Sequence, residues 1–355
     1  MTSNDFLIYG VNGFTGHLIA ERAKERGLSP IVAGRNAGAV QEIASRLGFP
    51  HRVFDLEHPD ALSEGLRGVK LVLHCAGPYS KTSRPMVDAC LNAGAHYLDI
   101  TGEYPVLEAV LARGEEAKRR GVVLLPAVGF DVVPTDCMAA ALQRELPGAT
   151  RLELAFTGDA MRPSPGTAKT TVENLHVGTV VRRGGRLTKL SAPVFREIPF
   201  DGTTRTGMSI PWGDIVTAYQ STSIPDITVY SVVPRNVARA APMLRFVAPV
   251  LKNPAVIGFL QRQVEKRATG PTDEMRRSAR MHVWGRVEDG AGKSVEGHLD
   301  VPEGYELTVV SALASAERVL RGDVPAGATT PSRAFGADFV TKLPGVGAFR
   351  FVRNG

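Results

Sequence analysis

The stretch Asp5-Phe-Leu-Ile-Tyr-Gly10-Val-Asn12-Gly13-Phe14-Thr15-Gly16 decides the fold. Residues 5–10 are a short apolar run ending in glycine and read as a buried strand. Residues 14–26 set Leu18, Ile19 and Ala23 at helical spacing, with Gly27 as a stop. Between them the glycines follow a GxxGxxG spacing, a relative of the dinucleotide fingerprint. One glycine makes the tight turn, one lets the backbone approach a pyrophosphate, and one lets the helix pack on the strand. The helix N-terminus then offers N–H groups and a partial positive charge to phosphates. A lone glycine pattern is a weak signal; one that leaves a strand and opens a helix is a specific one.

The alternation continues outward. Strands are expected at 30–34, 52–55, 69–75, 96–100 and 122–127, and helices at 37–47, 84–92 and 106–120. Strands that are apolar throughout, with helices between them, indicate a parallel sheet covered on both faces. Right-handed crossovers make it a doubly wound Rossmann sheet. The fold class is α/β, with a second, inserted α/β domain built on a mixed or antiparallel sheet.

In such a sheet ligands bind outside the carboxyl ends of the strands. The cofactor-binding candidates are therefore Gly10, Asn12, Gly13, Phe14, Thr15 and Gly16 in the first loop, and Arg35 after the second strand. No acid stands where a ribose 2′-hydroxyl would be bound, and Arg35 can pair with a 2′-phosphate, so the expected cofactor is NADP(H). Asp55 closes the third strand, placed either to meet the adenine edge or to cap a helix. The turn Cys75-Ala76-Gly77-Pro78-Tyr79 should border the nicotinamide ribose. Asp99, Thr101 and Glu103 follow the fifth strand, and Asp131 and Asp136 the sixth. Asp99 and Glu103 serve either substrate or loop backbone. Asp131 and Asp136 either face substrate or cap a helix starting near Pro134.

Together the GVNGFTG loop, AGR, CAGPY, YLDITGE and GFDVVPTD resemble the saccharopine dehydrogenase-like family of NADP-binding oxidoreductases. The similarity continues through SPGTAKTTVEN (164–174), GPTDEMR (270–276) with Trp284, and TPSRAFGADFV (330–340). Within that family the chain is similar to the trans-acting enoyl reductase branch, which acts on polyketide or fatty acyl chains. The resemblance implies a Rossmann domain over 1–135, a substrate and dimerisation domain over 136–304, and a helix and tail over 305–355 packing back on the first. It also implies homodimers. Short-chain dehydrogenases share the glycine spacing but need YxxxK, and none of the seven tyrosines has Lys four residues on.

The second region begins with a strand at about 150–157. A helix is expected over 169–182, then a Thr-, Ser-, Val- and Ile-rich stretch over 186–235 with turns at 201–202 and 212–213. Strands follow at 280–287 and 294–299, and a helix over 305–321. The chain of 355 residues carries a net charge of +6, and its excess is local. Residues 235–286 hold eleven Lys or Arg against three acids, among many apolar side chains. That composition suits a peripheral membrane contact, a lid over a long-chain substrate, or a pair of helices at a dimer interface. Sparse aromatics and the lack of a known motif argue against nucleic acid.

No export leader and no membrane-spanning run are evident, and three cysteines without CxxC spacing suit a reducing cytoplasm. No metal site is expected. The catalytic candidates are Tyr79, Lys81 and Lys169, with Thr167 among the substrate-side residues. The leading expectation is an NADPH-dependent reductase of an apolar acyl or lipid-like substrate, such as an enoyl thioester, with a place in lipid metabolism. The alternatives are reductive condensation of an amino acid with a keto acid, and an NADP(H)-sensing protein without turnover.

Overall fold

The computed structural model describes residues 6–159, 162–174, 178–200, 202–234, 236, 238 and 253–354. The chain forms two compact units. One comprises Met1–Val133 and Tyr305–Phe335, the other Pro134–Gly304 and Gly336–Gly355.

Strands are numbered here in chain order. The first unit contains β1 (Phe6–Tyr9), β2 (Ile31–Gly34), β3 (His51–Val53), β4 (Leu71–His74), β5 (His96–Asp99), β6 (Val123–Leu125) and, from the C-terminal part of the chain, β15 (Gly327–Ala328). They pair in the order β15-β6-β5-β4-β1-β2-β3, every pair parallel. The chain runs one way from β1 through β2 to β3 and the other way from β4 to β6, so the topological switch point lies between β1 and β4. β1, β2, β4 and β6 are buried along their whole length, because helices cover both faces. Only β3, at the edge, is largely exposed. This is the doubly wound Rossmann sheet.

In this unit three helices differ from expectation. The helix expected at 84–92 runs over Tyr79–Ala93 and passes through Pro85. It starts early because both oxygens of Glu103, remote in sequence, accept the amides of Tyr79 and Ser80 (2.9 and 3.0 Å). The helix expected over 106–120 is two, Tyr104–Leu111 and Gly114–Arg119, with Arg113 between them paired to Asp88 and Glu116. An additional short helix, Pro59–Gly65, packs so closely that a Cβ on Gly65 would sit 2.5 Å from the Phe54 ring.

Helix Gly304–Leu320 belongs to the first unit, where Arg22 and Arg26 pair with its Glu306 and Glu317. The tail does not follow it throughout. Residues 336–355 fall in the second unit because β16 (Arg350–Asn354) finds an open edge on β14 (Ser294–Pro302) there.

The second unit is built on a mixed sheet in the order β10-β11-β12-β7-β13-β14-β16. Its other strands are β7 (Ala149–Gly158), β10 (Phe195–Phe200), β11 (Thr203–Ser209), β12 (Asp226–Val232) and β13 (Arg280–Asp289). β8 (Thr179–Arg183) and β9 (Arg186–Leu190) form a hairpin attached to β12. The helix expected over 169–182 therefore ends sooner. It spans Pro165–Asn174, and the β-branched Thr179-Val180-Val181 goes into a strand instead. The turn at 212–213 leads not to a strand but to a helix, Asp214–Thr222, which buries Ile215, Val216 and Ala218. Of the basic segment 235–286, residues 235, 237 and 239–252 lie outside the described residues. The rest forms helices Pro254–Arg267 and Asp273–Ser278 and most of β13. Among the described residues no helix is long and apolar enough to cross a membrane.

Candidate functional site

The first loop closes tightly at the switch point. Gly10 donates its amide to Ala33 O (2.8 Å) on β2, and Cys75 donates to Tyr9 O (2.8 Å), so the loop hangs between β2 and β4. Gly10 has φ +89°, a conformation that glycine adopts without strain. A Cβ there would meet Ala76 at 2.9 Å, and one on Gly16 would sit 2.4 Å from Gly10 O. Gly16 thus lets helix Phe14–Glu25 press its first turn onto the loop. The helix begins at Gly13, which has no side chain to cap it, and carries no acid in its first turn. Its leading amides are left for an anion, and the helix end carries a partial positive charge. These features fit a dinucleotide pyrophosphate.

Asn12 and Gly13 are exposed, with the Asn12 side chain close over Gly34 at the end of β2. Phe14 and Thr15 are half-buried, and the Phe14 ring meets Tyr305 edge-on at 4.9 Å, so its side chain packs inside the unit. Arg35 is exposed directly after β2. Asp55 is engaged locally. Its Oδ1 accepts the amides of Glu57 and His58, and its carboxylate meets His58 Nδ1 at 2.8 Å, which holds its pKa below the ordinary value. It closes a turn just ahead of helix Pro59–Gly65.

The turn after β4 is fastened from three sides. Thr82 Oγ1 donates to Ala76 O (2.6 Å) and meets His74 Nε2 at 3.0 Å. His74 is fully buried among the rings of Tyr9, Tyr79 and Tyr97. Burial lowers its pKa to about 3, so it is neutral, and with the Thr82 proton committed to Ala76, Nε2 is the donor. The Tyr79 hydroxyl donates inward to His74 O (3.3 Å), and burial holds its phenol well above the ordinary range. That geometry makes Tyr79 a fastener of the Ala76-Gly77-Pro78 turn, which corrects its reading as a proton donor. Lys81, another catalytic candidate, is exposed.

Asp99 and Glu103 hold backbone. Asp99 is fully buried; Oδ1 accepts the amides of Thr101 (3.1 Å) and Ala127 (2.8 Å), and Oδ2 accepts the Tyr97 hydroxyl (2.7 Å). Burial raises its pKa to about 6 against the pull of those three donors. Ala127 has φ +60°, strained for a residue with a Cβ, and the Asp99 bond fixes it there. Thr101 is buried, and its hydroxyl accepts the Glu103 amide (3.0 Å). Asp131 lies over Gly102 so closely that a Cβ on Gly102 would be 2.8 Å from Oδ2. Burial, and then the charge of Glu103, push the Asp131 carboxyl up to about 7. Asp136 lies inside the first turn of helix Val133–Glu145, not ahead of it, and accepts the Ser221 hydroxyl (2.6 Å).

The structure thus brings the glycine loop, Arg35, the turn after β4, Asp99, Thr101, Glu103 and Asp131 to the carboxyl edge of one sheet. Thr167 and Lys169 belong to the second unit, on helix Pro165–Asn174, exposed and half-buried respectively. The sequence reading missed the supports. Besides Thr82, these are Thr308, whose hydroxyl accepts the Phe130 amide (2.9 Å), and Ser311, which donates to Val128 O (2.6 Å). Both reach the loop after β6 from a helix nearly two hundred residues on, a separation that no local pattern signals. Among the described residues no group of three or more His, Cys, Asp or Glu could hold a metal ion.

Comparison with known proteins gives four findings. Residues 6–125 match the saccharopine dehydrogenase NADP binding domain family. A saccharopine dehydrogenase-like oxidoreductase of Mus musculus is 34% identical over 150 residues, 37% of this chain and 35% of that protein. A trans-acting enoyl reductase of Mycobacterium ulcerans (strain Agy99) is 29% identical over 166 residues, 44% of this chain and 40% of that protein. The matches thus span little more than a third of these curated relatives. In three dimensions the chain is similar to apo saccharopine dehydrogenase (L-Glu forming) from Saccharomyces cerevisiae. The TM-score is 0.69 at 12% identity, covering 99% of this chain and 100% of that one, which shows a shared fold.

Proposed function

We propose that this chain, whose residues 6–125 match the saccharopine dehydrogenase NADP binding domain family, is an NADPH-dependent reductase of an apolar acyl substrate. The observation that carries the reading is the glycine cradle at the switch point, closed to any side chain at Gly10 and Gly16 and followed at the end of β2 by an exposed Arg35. Gly10, Gly13 and Gly16 with the leading amides of helix Phe14–Glu25 would hold the pyrophosphate. Arg35 would hold the 2′-phosphate, and the turn Ala76–Tyr79 would carry the nicotinamide ribose. The bound cofactor supplies hydride chemistry; the chain positions the acceptor and manages the proton.

An apolar substrate is supported by the second unit. Helix Pro254–Arg267 leaves Val256, Ile257 and Leu260 half-buried and Phe259 53% exposed, beside helix Pro165–Asn174. Such a surface suits an acyl chain better than two amino-acid carboxylates. The mycobacterial relatives named trans-acting enoyl reductase favour the same substrate class.

The test follows NADPH absorbance with a series of trans-2-enoyl thioesters of increasing chain length. Consumption that rises with chain length is expected. A folded, NADPH-binding protein silent across the series rejects the reductase reading. In the same protein Arg35→Asp should weaken NADPH by about 10- to 100-fold and leave NADH nearly unchanged. Equal losses for both would remove Arg35 from the 2′-phosphate.

A further inference from the structure

We propose that Asp131 is the proton donor of this reduction, held in place by the loops after β5 and β6. The inference rests on the reductase reading above and adds to it the group that completes the chemistry.

The placement is fixed from several sides. Asp131 follows β6 in the loop 126–132, at the carboxyl edge that carries the cofactor cradle. Phe130 beside it is tied to Thr308, Val128 to Ser311 and to Asp99 O (2.8 Å), and Ala127 to the Asp99 carboxyl. A Cβ on Gly129 would lie 3.0 Å from Thr308 Cγ2, so this loop has no slack. The Asp131 carboxyl rests on Gly102, a position that only glycine leaves open.

The groups facing it divide the labour. Glu103, from the loop after β5, accepts the amides of Tyr79 and Ser80 at the start of helix Tyr79–Ala93. Its charge works against ionisation of Asp131, in addition to burial. Asp99, from the same loop, spends its oxygens on Tyr97, Thr101 and Ala127. Tyr79, from the helix after β4, feels Asp99, Glu103 and Asp131 together, but its hydroxyl is turned to His74 O. Helix Gly304–Leu320 presents Thr308 to this loop, while its Glu306 is paired with Arg22. Two neighbouring carboxyls in unlike surroundings, one accepting backbone amides and one pushed up to about 7, are the pattern of an acid–base pair.

The step balances. As the acceptor carbon gains hydride, the electron pair of the reduced bond takes the proton from the Asp131 carboxyl. The carboxylate left behind recovers a proton from water.

Carbon-13 NMR of protein labelled at aspartate carboxyls tests this without turnover. One resonance should titrate near pH 7, vanish in Asp131→Asn, and move to lower pH in Glu103→Gln. If Asp131→Asn removes only a resonance titrating below pH 5, the proposal is overturned. In turnover, kcat of the wild type should fall as pH rises through 7, because only the protonated carboxyl donates. Asp131→Asn should lose that limb and about 100-fold in rate, with NADPH affinity held within about twofold. A variant that keeps rate and limb removes Asp131 from proton transfer and leaves the reductase reading intact. Silence of the wild type with every acceptor overturns that reading, and the donor with it.

Discussion

The two sheets of this protein solve the same burial problem in opposite ways. The parallel sheet of the first unit is covered on both faces, so β1, β2 and β6 are apolar end to end, and the buried His74 and Asp99 come only at the carboxyl ends of β4 and β5. In the mixed sheet, residues alternate across the pleat. On one face helix Val133–Glu145 packs so closely that a Cβ on Gly285 or Gly297 would lie 2.7 Å from Leu142 or 2.6 Å from Met138. The other face buries Trp284, Tyr230, Ala155, Ile198 and Phe200 together with a charge, Glu153. Its carboxylate meets Arg196 Nη1 (2.7 Å) and the Tyr230 hydroxyl (3.0 Å), with Arg286 at 3.8 Å. One sheet keeps its polar chemistry at the edge, where a ligand can use it. The other spends polar groups inside, on itself.

That contrast can be broken at chosen points. The largest effect is expected from Gly16→Ala, which drives a methyl against Gly10 O. NADP(H) affinity should fall at least about 100-fold, some 3 kcal/mol, with a destabilisation of about 1–3 kcal/mol from overpacking. Isothermal titration with unchanged affinity would show that the cradle is not the pyrophosphate site. Next comes Glu153→Ala, which leaves Arg196 and Tyr230 without their acceptor. Denaturant unfolding should show a loss of about 3–5 kcal/mol, while NADP(H) affinity stays as in the wild type. A comparable loss of cofactor affinity would mean that the interior charge serves the ligand after all.

The smallest effect is a pH dependence in the second unit. His282 Nδ1 meets Asp300 at 2.7 Å and Nε2 meets Asp159 at 3.4 Å, while Arg350 of β16 holds the other Asp300 oxygen at 2.6 Å. Burial opposes the charged ring, but the hydrogen bonds to Asp300 and Asp159 outweigh it and raise its pKa. A raised histidine stabilises the fold below the ordinary value of 6.5, and that contribution fades as pH rises through the folded value. Thermal melts of wild type and His282→Gln should therefore differ most at pH 5–6 and converge by pH 8. Curves that stay parallel would remove the histidine from the balance.

The legibility of the two units follows from the same contrast. In the first, each strand is an apolar run closed by punctuation, and Gly10, Gly27, Gly48, Gly94 and Gly121 all take positive φ at strand or helix ends. Local chemistry therefore announces local structure. In the second, Thr179–Arg183 and Asp214–Thr222 have mixed composition, and partners remote in sequence decide between strand and helix. The same limit applied within the site. Arg35, the glycines and the carboxylates could be named from their positions after strands. That Asp55 closes on His58, that Tyr79 turns inward and that Glu103 starts another helix could not, since each depends on a contact that only folding creates.

By itself the sequence determined the alternating parallel sheet and the glycine loop at its head, because those depend on side-chain periodicity and on the absence of a Cβ. The tertiary structure alone decided the surroundings of each carboxylate. Asp99, Glu103 and Asp131 are the same chemical group within 33 residues of chain. They differ only in how much water folding removes and which donors it brings, and those two quantities set whether an acid holds backbone or keeps its proton.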